Sequence, residues 1–390
     1  MITREDIREL AQLQCINGEG CALSFYFQPQ TPKDKSHREE AILAKDLVRN
    51  ALRDAEKHGK NGYARTDLDR ILEVAGSLKG NQARAKAIFA CGSKSLWREF
   101  DLPALLPGTQ LFVNRRFHLK PLAALLGAQP RLCVAIFDRQ RARVFDLRLD
   151  ELTEREGLFH SLSRGRSDGF AGYDGGHTER RVADEAMHHF KSVAEKLKEA
   201  LDKEEFDKLI IGCHETNWHE LESQLHPYVK QRLLGHFAAE VASITNDQIR
   251  ENANRILKKS QDSRLQDLVK EVLGQANRNG LGATGLRRVL RSIELGEVQS
   301  LLLGENFRAH AVECTKCGHL DAHMVKFCAV CGHETRELDD VCDAIIPTAI
   351  QRDIELFYVK DDPALDKVGN IGALLRFRAD QNTSSKTSVA

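Results

Sequence analysis

Residues 280–306 read GLGATGLRRVLRSIELGEVQSLLLGEN. The run opens on G-x-G-x-x-G (Gly280, Gly282, Gly285), the pattern of a dinucleotide-binding turn. That chemistry needs a strand directly before the first glycine, so that the chain leaves a sheet and turns under a pyrophosphate into a helix. The preceding residues, EVLGQANRN (271–279), are polar and suit a helix or a loop. The glycines are therefore not read as a nucleotide site. Beyond them the pattern is regular. Leu286, Val289, Leu290 and Ile293 fall on one helical face, Gly296 supplies a stop, and VQSLLLG (298–304) is an apolar run of strand length. A helix feeding a buried strand predicts an α/β unit over 276–380.

Two further units precede it. In the middle of the chain, LCVAIFD (132–138) and RARVFDLRL (141–149) are strands too close together for anything but a hairpin. A glycine-rich stretch, 163–177, comes next. A long helix is predicted over about 179–201, where Met187, Phe190, Ala194, Leu197 and Leu201 recur at steps of three and four. KLIIGC (208–213) is a buried-type strand, and helical patterns dominate 216–275. Before this unit, Thr3-x-x-Asp6 resembles a capping box, and LSFYF (23–27), KAIFAC (86–91) and QLFV (110–113) read as strands. Amphipathic helices are predicted over 37–58 and after Thr66. The expected domains are 1–127, 128–275 and 276–380, with a disordered polar tail at 381–390.

Composition narrows the class. At 390 residues the chain accommodates two to four domains of roughly 100–200 residues each. Formal net charge is zero, so only local basic clusters can argue for nucleic acid. No apolar run approaches the ~20 residues that span a bilayer. MITREDIREL has no apolar signal core, which leads to the expectation of a cytoplasmic protein without membrane contact.

Of ten cysteines, four are grouped as Cys314-x2-Cys317-x10-Cys328-x2-Cys331, each pair followed by glycine. A C-x2-C turn sets two thiolates at the separation that tetrahedral zinc requires. A closed set of four thiolates leaves no coordination position for water, so the expected Zn2+ is structural, held in a small subdomain at 312–334. His319, His323 and His333 lie nearby and are read as surface or supporting residues, not ligands. His214-Glu215 with His219 is not a zinc-protease helix, because residues five apart do not share a helix face. Adjacent His188 and His189 cannot share one either; one is expected in solvent and the other beside Phe190. Cys91, followed by GSKS (92–95), is read as a strand ending in a turn.

The stretch GYDGGHTERR (172–181) carries two explanations. It is a mobile surface loop, or a backbone that must enter a place too crowded for side chains. Arg164 and Arg166 flank it on one side, and Arg180 and Arg181 on the other, a charge pattern suited to phosphates. Arg115, Arg116, His118 and Lys120 form a second basic group in the first unit.

Taken with VGNIGALLRFRAD (368–380), the stretch 280–306 resembles the C-terminal domain of archaeal and eukaryotic class-I release factors and of Pelota. Gly369, Ile371, Gly372, Leu375, Arg376, Phe377 and Arg378 stand at the positions of that family's late signature. FVNRRFHLKPLAALLG (112–127) resembles the bacterial branch, which includes Balon-like ribosome hibernation factors. The resemblance implies three α/β domains in a release-factor/Pelota-like arrangement, with an RNase H-like central domain and the zinc subdomain inserted in the third.

In release factors the tip of the central loop is Gly-Gly-Gln, which promotes hydrolysis of peptidyl-tRNA. Gly175, Gly176 and His177 stand in its place, so the catalytic glutamine is replaced. No Asn-Ile-Lys-Ser stop-codon loop occurs either. The resemblance therefore implies a ribosome A-site binder contacting the RNA of the decoding and peptidyl-transferase centres, acting on idle or stalled ribosomes beside a translational GTPase of the elongation-factor class. Two alternatives remain: a factor that still promotes peptidyl-tRNA hydrolysis, and an RNA-binding or stress protein that shares only the fold.

Overall fold

The computed structural model describes residues 4–14, 22–28, 38–57, 63–77, 85–102, 108–127, 130–148, 151–155 and 175–379. The chain begins with α1 (Arg4–Gln12), β1 (Ala22–Phe27), α2 (Arg38–Lys57) and α3 (Tyr63–Ser77). It continues through β2 (Ala85–Cys91), β3 (Leu96–Leu102), β4 (Gln110–Asn114) and α4 (Lys120–Gly127). The four strands make an antiparallel sheet in the order β3-β2-β1-β4. Every residue of β1 is buried. Alternation sends Leu23, Phe25 and Phe27 against Ala44, Val48, Leu68 and Ile71 of α2 and α3. The opposite face sends Ala22 and Tyr26 into a core shared with Ile7 and Leu10 of α1 and Leu122 of α4. Covering both faces is why ALSFYF is apolar but for Ser24, whose Oγ accepts the His118 N–H at 3.0 Å.

The middle segment runs β5 (Leu132–Phe137), β6 (Ala142–Arg148), β7 (Glu151–Glu154), α5 (Gly175–Asp202), β8 (Lys208–Cys213), α6 (Glu215–Gln224), α7 (Pro227–Lys230), β9 (Leu233–Ala238) and α8 (Asn246–Asn277). Its sheet has the order β7-β6-β5-β8-β9. The expected hairpin is present: β5, β6 and β7 are antiparallel neighbours, while β8 runs parallel to both β5 and β9. Three layers result. Cys133, Ala135 and Phe137 of β5 pack with Phe190, Val193 and Leu197 of α5. Leu132, Val134 and Ile136 pack on the other face with Phe237, Ile249 and Ala253. Helical patterns were expected to dominate 216–275, yet LLGHFA folds as β9. It is an edge strand of six residues, mostly half-buried, so neither a long apolar run nor clean alternation marks it.

The last segment contains β10 (Gly282–Thr284), α9 (Leu286–Glu294), β11 (Val298–Gly304), β12 (Ala311–Cys314), β13 (Leu320–Asp321), β14 (Thr335–Leu338), α10 (Cys342–Gln351), β15 (Glu355–Val359), α11 (Pro363–Asp366) and β16 (Ile371–Leu375). The helix and strand expected after Gly285 are both present, and Gly296 ends the turn after α9 at φ +72°. The main sheet is β10-β16-β11-β15, with β11 and β15 parallel. Leu301 and Leu303 face α9 and α10, while Leu302 faces Val269 and Val272 of α8 and Leu365 of α11. A second sheet, β13-β12-β14, carries the cysteine group.

Contacts divide the chain into two units. Gln129–Arg264 is one; Met1–Ala128 and Leu265–Ala390 together form the other. In that composite unit one core runs from Tyr26, Phe89 and Phe117 to Val289, Leu301 and Ile345. α8 crosses the division, with Ile249 and Ala253 in the central core and Val269 and Val272 in the C-terminal one. Among the described residues no helix is long and apolar enough to cross a membrane.

Candidate functional site

The four cysteines of the candidate metal centre come together. β12 ends on Cys314, and the chain then makes two turns of the same design. The Gly318 N–H donates to the Cys314 carbonyl at 3.2 Å, and the Gly332 N–H to the Cys328 carbonyl at 2.9 Å. The N–H groups of Cys314 and Cys328 donate to the carbonyls of His319 and His333, at 2.9 and 2.8 Å. Both glycines sit at φ +72° with open space where a Cβ would lie, so conformation and not room demands glycine. Amides of Lys316 and Cys317 point at Cys314 Sγ (3.4 and 3.5 Å), and that of Val330 at Cys328 Sγ (3.4 Å).

The sulfurs of Cys314 and Cys331 are 3.4 Å apart, those of Cys317 and Cys328 3.6 Å, and all four lie within 4.8 Å of one another. Zinc–sulfur bonds of about 2.3 Å make a tetrahedron with edges near ~3.8 Å, so the donor set fits a closed four-thiolate site. The Cys317 N–H, with help from Lys316 and the neighbouring thiols, brings the Cys314 thiol down to about 6. For Cys317 the His319 N–H pulls the same way, but desolvation and three neighbouring sulfurs push it up to about 12. The Cys314 thiolate forms readily while Cys317 resists, which is the electrostatic condition a divalent cation relieves. The histidines stay outside the sulfur cluster. His319 Nδ1 bonds Glu294 Oε1 at 2.7 Å, His323 Nδ1 lies 3.3 Å from Asp321 Oδ1, and His333 Nδ1 bonds the Cys331 carbonyl at 2.9 Å. Elsewhere, burial pushes the Cys133 and Cys213 thiols up to about 12, leaving them inert.

The glycine-rich stretch is covered in part. Arg164 and Arg166 lie outside the described residues. α5 begins at Gly175, where a start near 179 was expected, so Gly175, Gly176 and His177 are its first three residues, with Arg180 and Arg181 in the next turn. The leading N–H groups of a helix have no intrahelical acceptor and carry its positive pole. Such an end can donate to an anion or to a developing oxyanion.

The basic group of the first segment is split by the fold. Arg115 is exposed. Arg116 points inward: both its terminal nitrogens bond the Glu313 carboxylate. Arg336 reaches the same carboxylate at 2.6 Å. His118 is buried, with Nδ1 2.8 Å from Asp343 Oδ1 and its ring stacked 3.7 Å from Phe112. Asn114 donates to the other Asp343 oxygen at 2.7 Å, and Lys120 Nζ to the Phe307 carbonyl at 3.1 Å. Glu313 and Asp343, which receive these groups, were not singled out in the sequence; the one available hint was a glutamate set in the apolar strand AVEC directly before a cysteine.

The remaining motifs have local roles. His214 caps α6 by accepting the Thr216 N–H, and His219 is exposed. His188 is exposed, while His189 is buried with its ring 6.2 Å from Phe190. GLGATG comes after the end of α8, not after a strand. A Cβ on Gly282 would lie 2.3 Å from the Val272 carbonyl oxygen, so this glycine lets β10 approach the helix backbone. Cys91 ends β2 at a short turn through Ser95, as expected.

Residues 118–258 match the family described as Bacterial archaeo-eukaryotic release factor family 10. The chain is 24% identical over 302 residues to Peptide chain release factor subunit 1 of Archaeoglobus fulgidus, covering 75% of this chain and 69% of that protein. It is 23% identical over 379 residues to an uncharacterised protein of Mycobacterium tuberculosis, covering 96% of this chain and 98% of the other. Among solved structures, a ribosome-bound archaeal Pelota is similar over 96% of this chain and 94% of that one, at 13% identity and a TM-score of 0.40. The family match covers the segment 118–258, and the mixed α/β chain is similar in sequence to archaeal release factor subunit 1 over three quarters of its length.

Proposed function

We propose that the protein is a translation factor that binds the A site of idle or stalled ribosomes, in hibernation or rescue. One observation carries this reading: within the stretch matched to the release-factor family, α5 opens on Gly175-Gly176-His177. In this reading the Gly-Gly-His segment is directed at the peptidyl-transferase centre. Arg164, Arg166, Arg180 and Arg181 face ribosomal RNA phosphates around it. Arg115 is the exposed basic candidate of the first segment for the decoding centre, whereas Arg116 and Lys120 already have partners within the chain. A GTPase of the elongation-factor class is the expected companion. The four-cysteine centre holds a structural Zn2+ and takes no part in chemistry. Replacement of glutamine by His177, with the missing Asn-Ile-Lys-Ser loop, favours binding over termination.

Co-sedimentation with vacant 70S ribosomes tests the proposal. The protein is expected in the pellet at about 50 mM salt and largely in the supernatant at about 200 mM, as a phosphate-dominated contact requires. A protein that stays in the supernatant at low salt ends the proposal. The leading N–H groups that a helix end presents without intrahelical acceptors favour a second reading, in which the segment still promotes peptidyl-tRNA hydrolysis without acting as an acid or base itself. A release assay separates the two. If the parent protein releases no peptide and His177→Gln does, the hydrolytic reading is dead.

A further inference from the structure

The residues between the two cysteine turns have no core of their own; only the partly buried Leu320 and Ala322 pack against the core of the unit. From 315 to 334 the one buried residue is Cys328, while Met324, Phe327 and Val330 are more than half exposed. The ladder that carries the turns is short: β13 has two residues, and β14 pairs with β12 over four. Apolar burial of that size does not hold a fold, so the shape of this subdomain depends on its metal.

That dependence reaches the first segment of the chain through Glu313. Glu313 directly precedes the ligand Cys314, pairs across the ladder with Arg336, and has a side chain only 4% exposed. Its carboxylate is held from both sides. Arg336 donates from Nε at 3.1 Å and Nη2 at 2.6 Å, and Arg116 donates through both terminal nitrogens. Arg116 lies 197 residues earlier, in the connection between β4 and α4, and is 12% exposed at its side chain. A carboxylate this deeply buried is tolerable only while both guanidiniums are in place.

We infer that the four-thiolate centre is a metal-dependent latch that fastens the β4–α4 segment to the C-terminal part of the same unit. With metal bound, the two cysteine turns fix β12 against β14, which positions Glu313 and Arg336 as a preformed socket for Arg116. Without metal, β14 loses its register, Arg336 leaves, and water reaches Glu313. The Arg116 pair then becomes an ordinary solvated one, worth little. Arg116, which a sequence pattern marks as a surface cation, is by this account a positioning residue. The inference stands apart from the ribosomal proposal.

Hydrogen exchange on the full chain tests it in three forms: metal-loaded, stripped by a chelator under reducing conditions, and metal-loaded Arg116→Gln. In the stripped protein, amides of 110–123 are expected to exchange about tenfold faster or more, with β11 affected far less and β8, in the other unit, unchanged. Arg116→Gln is expected to do the same at full metal content. Coupling is reciprocal, so this variant should also surrender its metal to a chromophoric chelator several-fold sooner. Unchanged protection of 110–123 in the stripped protein overturns the latch. So does an Arg116→Gln chain that exchanges and gives up metal like the parent. A loss of β11 protection as large as that of 110–123 in the stripped form overturns it too, since the metal would then act through the stability of the whole unit alone. Should Arg116→Gln fail to accumulate, Glu313→Gln gives the same readouts from the other side of the pair.

Discussion

Gly282 and Gly212 are both packed too closely for a side chain, but against different things. A Cβ on Gly212 would lie 2.5 Å from Ile136 Cδ1 and 2.9 Å from Phe237 Cζ, the movable ends of side chains. One on Gly282 would lie 2.3 Å from the Val272 oxygen and 2.4 Å from the Ala276 nitrogen, both helix backbone. Gly212→Ala is therefore expected to cost about 1–3 kcal/mol through repacking, and Gly282→Ala more than about 3 kcal/mol, because α8 must shift. Urea midpoints rank the two, and the reverse order would refute the backbone argument. His189 gives a pH test. Burial lowers its pKa below the ordinary 6.5, and its Nε2 has no partner among the described residues. The unfolded chain takes the proton first, so the contribution of the neutral ring is complete above about 6.5 and is lost as pH falls below it. His189→Phe should flatten the stability profile below about pH 6.5, read from the same midpoints. The cysteine ligands were legible because metal spacing is local in sequence. Glu313 and Asp343 were not, because their partners lie 197 and 225 residues away.

At the level of elements, most strands were visible because they are buried on both faces and read as apolar runs, as in LCVAIF and VQSLLLG. Three of the strands that escaped notice, β3, β7 and β9, are edges. LWREFDL (β3) and ELTE (β7) are exposed and charged along much of their length, since an edge strand has one neighbour and a solvated rim. The start of α5 was misjudged for a related reason: Gly175 and Gly176 are poor helix formers, and tertiary context overrides propensity there. Short elements depend most on caps, and α11 shows how. It has four residues, and Asp362 accepts the N–H groups of Ala364 (2.8 Å) and Leu365 (3.0 Å). The cap sets Leu365 into the cluster of Leu302, Val272 and Val359. Asp362→Ala is expected to lower stability by about 1 kcal/mol, while Asp362→Asn keeps most of it. Equal losses in both would show that the charge, not the cap, matters.

Across the full chain, the division into two units has a thermodynamic consequence. The central unit closes its own sheet with α5 and α6 on one face and the head of α8 on the other, and among the described residues it contains no metal cluster. The four-cysteine centre belongs wholly to the composite unit. A ligand that binds one folded unit stabilises that unit by mass action and leaves an independent one unmoved. Calorimetry of the metal-loaded chain is therefore expected to resolve two transitions. Stripping the metal should lower one by several degrees and leave the other within error. Adding Zn2+ back should restore it. Tryptophan emission can assign the transitions, since Trp218 lies in the central core and Trp97 packs with the first sheet beneath Arg70. In chains carrying Trp218→Phe or Trp97→Phe, the remaining tryptophan reports one unit alone. Both probes moving together on stripping would mean that α8, continuous from 246 to 277, joins the units into one cooperative body. Movement of the Trp97 transition alone would mean that the helix passes between them without coupling their stability.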